Sequence, residues 1–83
     1  MQVQISSMAL LEGRCVRAVA ELDYAGLRLR GLKLEERDGS LQLSLPGRRL
    51  KNGWQVVYEF VNEDLHRLLR RVVVEEYYRR RAA

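Results

Sequence analysis

The chain is poor in the residues that most often build metal or redox centres. It contains one cysteine, one histidine and one proline among 83 residues. The single cysteine, Cys15, cannot form a disulfide within the chain, which favours a reducing, cytoplasmic setting. Cys15 and His66 together supply too few ligands for a zinc site of the ordinary kind. We therefore expect neither a bound cofactor nor an intramolecular disulfide.

Long apolar runs and targeting signals are also missing. No segment approaches the roughly 20 apolar residues that a membrane-spanning helix needs. Residues 1–11 lack the basic region and the cleavage site of a signal peptide. Linkers, low-complexity stretches and internal repeats are absent as well, so we predict a single domain over residues 1–83. The sequence indicates a cytoplasmic protein with no membrane partner.

The sequence contains no recognisable catalytic constellation. Glu35 and Glu36 are adjacent, and neighbours in a strand point to opposite faces, which argues against a shared acid-base site. We expect His66 to be a partly exposed helix residue near a carboxylate, and Cys15 to be a small buried residue at the start of a strand. We predict no catalytic residues, no enzyme activity and no small-molecule substrate. An enzyme would need a pocket lined by Glu59, His66 or Cys15.

Charge and composition suit a small folded domain with an anionic partner. Hydrophobic residues make up 47% of the chain and charged residues 31%, a balance typical of folded domains. Fifteen basic residues against eleven acidic ones leave a net charge of +4, which favours polyanions. Because a domain this short buries only a modest core, we expect a homodimer.

The part of the chain before Asn62 shows the two-residue apolar period of β-strands. A first strand, ending by residues 12–13, has one face formed by Val3, Ile5 and Ser7. The next strand has a buried face formed by Val16, Ala18, Ala20 and Leu22. Its opposite face holds Arg17, Val19 and Glu21.

Turns and one irregularity are marked by glycine and proline. Residues 23–26 predict a turn. The apolar period slips by one residue just before Gly31, which predicts a β-bulge there. Residues 37–40 (RDGS) contain the Asp-Gly pair of a tight hairpin. The strand that follows has Leu41, Leu43 and Leu45 on one face, and Pro46 ends it.

The next segment predicts a basic loop and a last strand. Residues 47–53 form a polar loop that holds Arg48, Arg49 and Lys51. Residues 54–61 are apolar on both faces, which is typical of a central strand or of one covered on both sides. We expect Trp54 to anchor the core or an interface.

After Asn62, a favourable helix N-cap, the apolar period becomes helical. We predict a helix from about Asn62 to Arg80. Its apolar stripe is Leu65, Leu68, Leu69, Val72 and Val73. Its opposite, basic side is Arg67, Arg70, Arg71 and Arg81, with Tyr78. We expect Tyr77 to close the core or a dimer contact. The whole pattern predicts an α+β fold, a twisted antiparallel β-sheet of about five strands with one C-terminal α-helix packed on it.

Two basic clusters are candidate nucleic-acid-binding sites, because arginine and lysine contact phosphates. The first is the loop cluster of Arg48, Arg49 and Lys51. The second lies on the helix and consists of Arg67, Arg70, Arg71, Arg79, Arg80 and Arg81. The helix arginines equally fit the solvated face of an amphipathic helix, and the terminal ones offset its dipole. Tyr78 is expected at the surface, where it can stack on a base.

Four short segments follow one another at residues 17–20 (RAVA), 41–49 (LQLSLPGRR), 52–54 (NGW) and 74–77 (VEEY). In this order and spacing they resemble the SpoVG family, the bacterial stage V sporulation protein G and septation regulator. The corresponding family elements are an Arg-Ala-hydrophobic-Ala strand, a strand ending in Pro and a basic pair, an Asp-Gly-aromatic turn, and a helical Leu-Asn-Glu-Tyr. The family's His-Pro element before the helix is replaced by EFVN at residues 59–62.

The resemblance implies a SpoVG-like homodimer that binds DNA or RNA with low sequence specificity. It further implies a bacterial regulator in sporulation, septation or cell division, and it carries the family's basic stretch over to Arg48, Arg49 and Lys51. The alternative is a homodimeric protein-interaction module with no nucleic-acid role. Basic side chains pooled on one dimer face would favour nucleic acid, and dispersed ones would favour the alternative.

Overall fold

The computed structural model describes residues 2–56 and 58–83. In this part of the chain the elements are β1 (Val3–Leu10), β2 (Val16–Tyr24), β3 (Leu27–Arg37), β4 (Ser40–Ser44), β5 (Gly47–Leu50), β6 (Gly53–Val56) and α1 (Glu63–Ala82). Strands β1 to β4 form one antiparallel sheet in sequential order, and β5 and β6 form a separate two-stranded sheet. The predicted α+β fold, an antiparallel sheet with one C-terminal helix, is confirmed.

The core lies between one face of the four-stranded sheet and helix α1. Its buried members are Ala18, Ala20, Leu22, Leu32, Leu34, Leu43, Leu69, Val73 and Tyr77. Fully burying a leucine or valine side chain contributes roughly 1.5–3 kcal/mol, so these few residues dominate the stability of a domain this small. The apolar face of β2 to β4 and the apolar stripe of the helix therefore pack against each other in one layer. Tyr77 closes the core, as predicted.

A β-bulge in β1 changes which side chains face the helix. Ile5 pairs with Leu22, but Ser7 pairs with Glu21, so one extra residue lies in β1 between these pairs. An extra residue reverses the alternation beyond it. Met8, opposite the buried Ala20, therefore takes the helix-facing position that simple alternation assigns to Ser7, and Ser7 is exposed.

A second bulge lies in β2 at Arg17. Val16 pairs with Glu35 and Ala18 pairs with Leu34, the neighbour of Glu35 in β3. Arg17 is therefore the extra residue in β2. Directly paired residues share a face, and Val16 therefore lies with Glu35 on the side away from the helix. The prediction that Val16 shares the buried face is wrong. Arg17 does not point away from the core, and its guanidinium contacts Glu36.

The predicted bulge at Gly31 is confirmed. Ala20 pairs with Leu32 and Leu22 pairs with Leu29, so β3 has one residue more than β2 between these pairs. Gly31 has a φ of 71°, which glycine adopts without the steric cost that other residues meet. The bulge keeps Leu29 and Leu32 on the side of the core.

Both predicted turns in the main sheet are confirmed as two-residue hairpins. The central residues of the first turn are Ala25 (φ 52°) and Gly26 (φ 79°), and those of the second are Asp38 (φ 52°) and Gly39 (φ 82°). Two successive positive φ angles are the signature of type I′ turns, whose twist matches that of the adjoining strands.

The segment after Pro46 differs from the prediction. Residues 47–53 are not a loop, because β5 and β6 form a hairpin around a turn at Lys51 and Asn52. The strand predicted over residues 54–61 ends at Val56 and does not join the main sheet, and Val57 lies outside the described residues.

The exposure of this segment excludes a central strand. Trp54, Tyr58 and Val61 are 62%, 57% and 92% exposed, so Trp54 does not anchor the core, which was one of the two positions expected for it. The cause is local: Pro46 has no N–H with which to continue β4 pairing, and the turn at Lys51 and Asn52 closes a separate hairpin.

Helix α1 begins as predicted. The side-chain Oδ1 of Asn62 accepts hydrogen bonds from the backbone N–H groups of Asp64 at 2.9 Å and Leu65 at 3.1 Å. The cap satisfies two of the N–H groups that a helix start leaves without partners. In the described part of the chain, no helix combines the length and the apolar character that crossing a bilayer demands.

Candidate nucleic-acid interface

The arginines of β3 lie in ion pairs on the sheet. They pair with carboxylates at 2.7 to 3.6 Å: Arg28 with Asp23, Arg30 with Glu21, and Arg37 with Glu35. The hydrogen bond from Arg28 holds the pKa of Asp23 below its usual value. Exposed pairs of this kind add little stability, but they balance the local charge. This region is therefore a poor surface for a polyanion.

The β5–β6 hairpin carries the first predicted basic cluster. Arg49 and Lys51 are exposed, while Arg48 pairs with Gln55 along the backbone and its side chain lies outside the described part of the structure. Trp54 stands directly opposite Arg49 in the hairpin register. Because paired residues share a face, the exposed indole ring and the Arg49 side chain lie on the same face of the hairpin.

The sequence left open whether Trp54 anchors the core or an interface, and the structure places it at the surface. Its ring lies against the α-carbon of Gly47, which is diagonal to it across the hairpin. The turn lies at Lys51 and Asn52, one residue before the Asn-Gly pair that marks it in the sequence, and this register places Trp54 opposite Arg49.

The helix arginines divide into exposed and engaged residues. Arg67 and Arg71 are exposed, and Arg67 forms an ion pair with Asp64 at 3.4 Å. Arg70 is half-buried, and its Nε donates to the backbone carbonyl of Leu41 on β4 at 2.6 Å. The prediction that Arg70 lies on the far side of the helix is therefore wrong. Arg70 lies at the border between the helix and the sheet.

Near the helix C-terminus, Arg79 and Arg80 share one carboxylate. Glu76 forms ion pairs with both arginines, and the bond from Arg80 Nε is 2.7 Å long. Arg80 also donates to the backbone carbonyl of Met8 at 3.2 Å. The hydrogen bond from Arg80, together with the positive charge of Arg79, lowers the pKa of Glu76. Arg80 therefore ties the helix to β1, whereas Arg79 pairs within the helix.

A cleft between the β3–β4 turn and the C-terminal half of α1 brings three other arginines together. It has a volume of about 450 Å³ and is lined by Arg17, Glu36, Gly39, Ser40, Leu41, Arg70, Val74, Tyr77, Tyr78 and Arg81. We call this the arginine cleft. Glu36 raises the pKa of Arg17 through a hydrogen bond and its charge.

The arginine cleft combines predicted and unpredicted residues. Arg70 and Arg81 belong to the predicted helix cluster, and Arg17 was missed because the β2 bulge turns it toward the helix. A second cleft of about 440 Å³ adjoins the first through the shared residues Arg17, Tyr77 and Arg81, and Leu10 is part of its wall. Neither cleft contains Arg49, Lys51, Arg67 or Arg71.

The two side chains weighed as reactive groups have other surroundings. His66 Nε2 lies 3.1 Å from the carbonyl oxygen of Leu43, so this nitrogen donates, and the ring stacks on Phe60 at 4.2 Å. Its bonded partner is thus a backbone carbonyl. Cys15 is exposed, so the expectation of burial is wrong. Among the described residues, no group of three His, Cys, Asp or Glu side chains is placed to hold a metal ion.

Fold and site define a small α+β domain with an exposed basic hairpin and an arginine-lined cleft. Comparison with known protein families, curated proteins and solved structures finds no match to this chain.

Proposed function

We propose that the protein binds single-stranded nucleic acid, DNA or RNA, with low sequence specificity. The observation that carries this proposal is the exposed ring of Trp54 beside Arg49 on the hairpin. Bases of any identity stack on aromatic rings, and a neighbouring guanidinium contacts the phosphates that link them. Such a pair binds a strand without reading its sequence.

Further exposed basic residues support a polyanionic ligand. The proposed contacts on the hairpin are Arg48, Arg49 and Lys51, and those on the helix are Arg67, Arg70, Arg71 and Arg81. Each phosphate contact releases condensed counterions, so affinity falls steeply as salt rises. Arg70 and Arg81 lie in the arginine cleft, whereas Arg49, Lys51, Arg67 and Arg71 are exposed.

The biological setting is proposed from the sequence resemblance. Similarity to the SpoVG family supports a cytoplasmic homodimer that regulates gene expression in bacterial sporulation, septation or cell division. A homodimer doubles the number of stacking and phosphate contacts, which strengthens binding to a continuous strand. The exposed Trp54 and Arg49 support strand binding, whereas the regulatory role rests on the resemblance.

Fluorescence anisotropy with labelled single-stranded RNA, single-stranded DNA and duplex DNA at two salt concentrations tests this function. Loss of one base-stacking ring costs roughly 1–3 kcal/mol, so Trp54→Ala weakens single-strand binding from several-fold to about a hundredfold. Arg49→Ala weakens binding to all sequences and reduces the salt slope by about one.

The matched control is Arg28→Ala, which removes an equal charge from an ion pair on the sheet. It should leave single-strand affinity nearly unchanged. The proposal fails if no probe binds at low salt, or if Arg28→Ala weakens binding as much as Arg49→Ala.

A homodimeric protein-interaction module is the second candidate. It is favoured by Tyr58 and Val61, apolar side chains that are 57% and 92% exposed just before the helix. Under this alternative, Val61→Asp lowers self-association in sedimentation experiments, and no nucleic acid binds to the wild type. Strand binding that survives Val61→Asp favours the first proposal.

A further inference from the structure

The three guanidinium groups of the arginine cleft are held in place by different partners. Arg17 is paired with Glu36, and Arg70 donates through Nε to the carbonyl of Leu41 at 2.6 Å. Arg81 lies over the ring of Tyr77, with its guanidinium carbon 6.0 Å from the ring centroid. Each contact uses only part of a guanidinium, which has five N–H donors. The remaining donors are available to a ligand in an already ordered arrangement.

The charge of the cleft matches a doubly charged anion. Among the described residues that line it, three are arginines and one, Glu36, is acidic, which leaves a formal charge of two positive. A phosphate monoester carries about −1.5 to −2 at neutral pH, whereas a phosphodiester within a strand carries one negative charge. The cleft therefore suits a monoester better than an internal phosphate of a strand.

An aromatic ring stands at the same cleft. Tyr78 is 53% exposed and makes an edge-to-face contact with Tyr77 at 5.3 Å between ring centroids. The buried Tyr77 therefore orients the exposed ring, and Val74 and Leu41 add apolar surface to the wall of the cleft. The volume of about 450 Å³ lies within the range of small-ligand sites. A planar base on Tyr78 with its phosphate among the arginines fits this arrangement.

We propose that the arginine cleft binds the phosphate monoester of a nucleotide, either free or at the end of a strand. Arg17, Arg70 and Arg81 bind the phosphate, and Tyr78 stacks on the base. This ligand is separate from the internal strand contacts proposed for the hairpin. Loss of Trp54 or Arg49 therefore leaves monoester binding intact.

Isothermal titration of the full chain with adenosine 5′-monophosphate, adenosine and inorganic phosphate tests the site. The monophosphate should bind, adenosine should bind at least tenfold more weakly, and inorganic phosphate should bind more weakly than the monophosphate because it lacks the base. Arg81→Gln removes one charged contact near the helix end and should weaken monophosphate binding about tenfold or more. Ser40→Asp places a carboxylate at the exposed rim of the cleft and should have a similar effect.

Arg30→Gln is the matched control, because Arg30 is exposed on the sheet and does not line the cleft. Its affinity for the monophosphate should equal that of the wild type. Oligonucleotides with a 5′-phosphate or a 5′-hydroxyl then distinguish a strand end from a free nucleotide as the preferred source of the monoester. Equal binding of adenosine and its monophosphate, or wild-type affinity in both Arg81→Gln and Ser40→Asp, would overturn the proposal.

Discussion

The indole ring of Trp54 lies against the α-carbon of Gly47 across the β5–β6 hairpin. A Cβ at position 47 would overlap the ring, so Gly47→Ala should displace it and weaken single-strand binding. Trp54 is the only tryptophan, and its emission spectrum reports this displacement directly. Gly26→Ala is the control: its added Cβ meets open space, so it should leave the emission unchanged even if it lowers stability. Identical spectra for Gly47→Ala and the wild type would contradict the contact.

Asn62 should contribute measurably to stability through its two hydrogen bonds to the helix start. Replacing an N-cap asparagine by alanine costs about 1 kcal/mol, whereas serine retains most of the effect. Urea denaturation should therefore rank the wild type and Asn62→Ser above Asn62→Ala. Val61→Ala, at an exposed neighbouring position, serves as the control and should change the free energy of unfolding little.

Gly31 should resist substitution because of its backbone angle and not because of crowding. Its φ is 71°, and an added Cβ would lie at an ordinary contact distance of 3.5 Å from the Pro46 Cβ. Forcing alanine into the left-handed region costs roughly 1–2 kcal/mol, and asparagine tolerates it better. Urea denaturation should show Gly31→Ala to be less stable than Gly31→Asn. If Gly31→Asn were the less stable variant, side-chain packing and not the backbone angle would cause the loss of stability.

The Glu76 ion pairs should make stability depend on acid pH. Arg80 and Arg79 lower the folded-state pKa of Glu76 below its usual 4.5. The stabilisation is therefore fully present above about pH 4.5 and is lost as pH falls through the lower, folded-state pKa. Thermal midpoints should differ between the wild type and Glu76→Gln at pH 7, and the difference should shrink toward pH 3.

Glu75→Gln is the matched control for that measurement. Glu75 is exposed and forms none of the ion pairs found among the described residues. Its thermal midpoint should track that of the wild type at both pH values. A difference in thermal midpoint between Glu76→Gln and the wild type that stayed constant from pH 7 to pH 3 would contradict a stabilising role of the Glu76 ion pairs.

Local signals in the sequence predicted the elements whose chemistry is contained in a few neighbouring residues. Asp38-Gly39 specified a type I′ turn, Gly31 marked its own bulge, and Asn62 began the helix. In each case the residue type is the cause of the backbone geometry, through positive φ or through capping bonds. Such features need no knowledge of distant partners.

The bulges in β1 and β2 could not be predicted in this way. Neither contains glycine, and both are visible only as a shift in pairing with a neighbouring strand. The bulge at Arg17 brings this residue into the arginine cleft, because it turns the side chain toward Arg81 and away from the opposite face. Arg70 is likewise held at the cleft by its hydrogen bond to the backbone carbonyl of Leu41 on β4.

The sequence by itself determined the α+β fold, the core leucines, the two turns of the main sheet, the helix start and the basic character of residues 48–51 and of the helix. Only the tertiary structure decided that Trp54 is exposed beside Arg49, that Val16 leaves the core face, and that Arg17 joins the helix arginines. The physical reason is that periodicity and capping are local, whereas strand register and the packing of the helix depend on residues far apart in the chain.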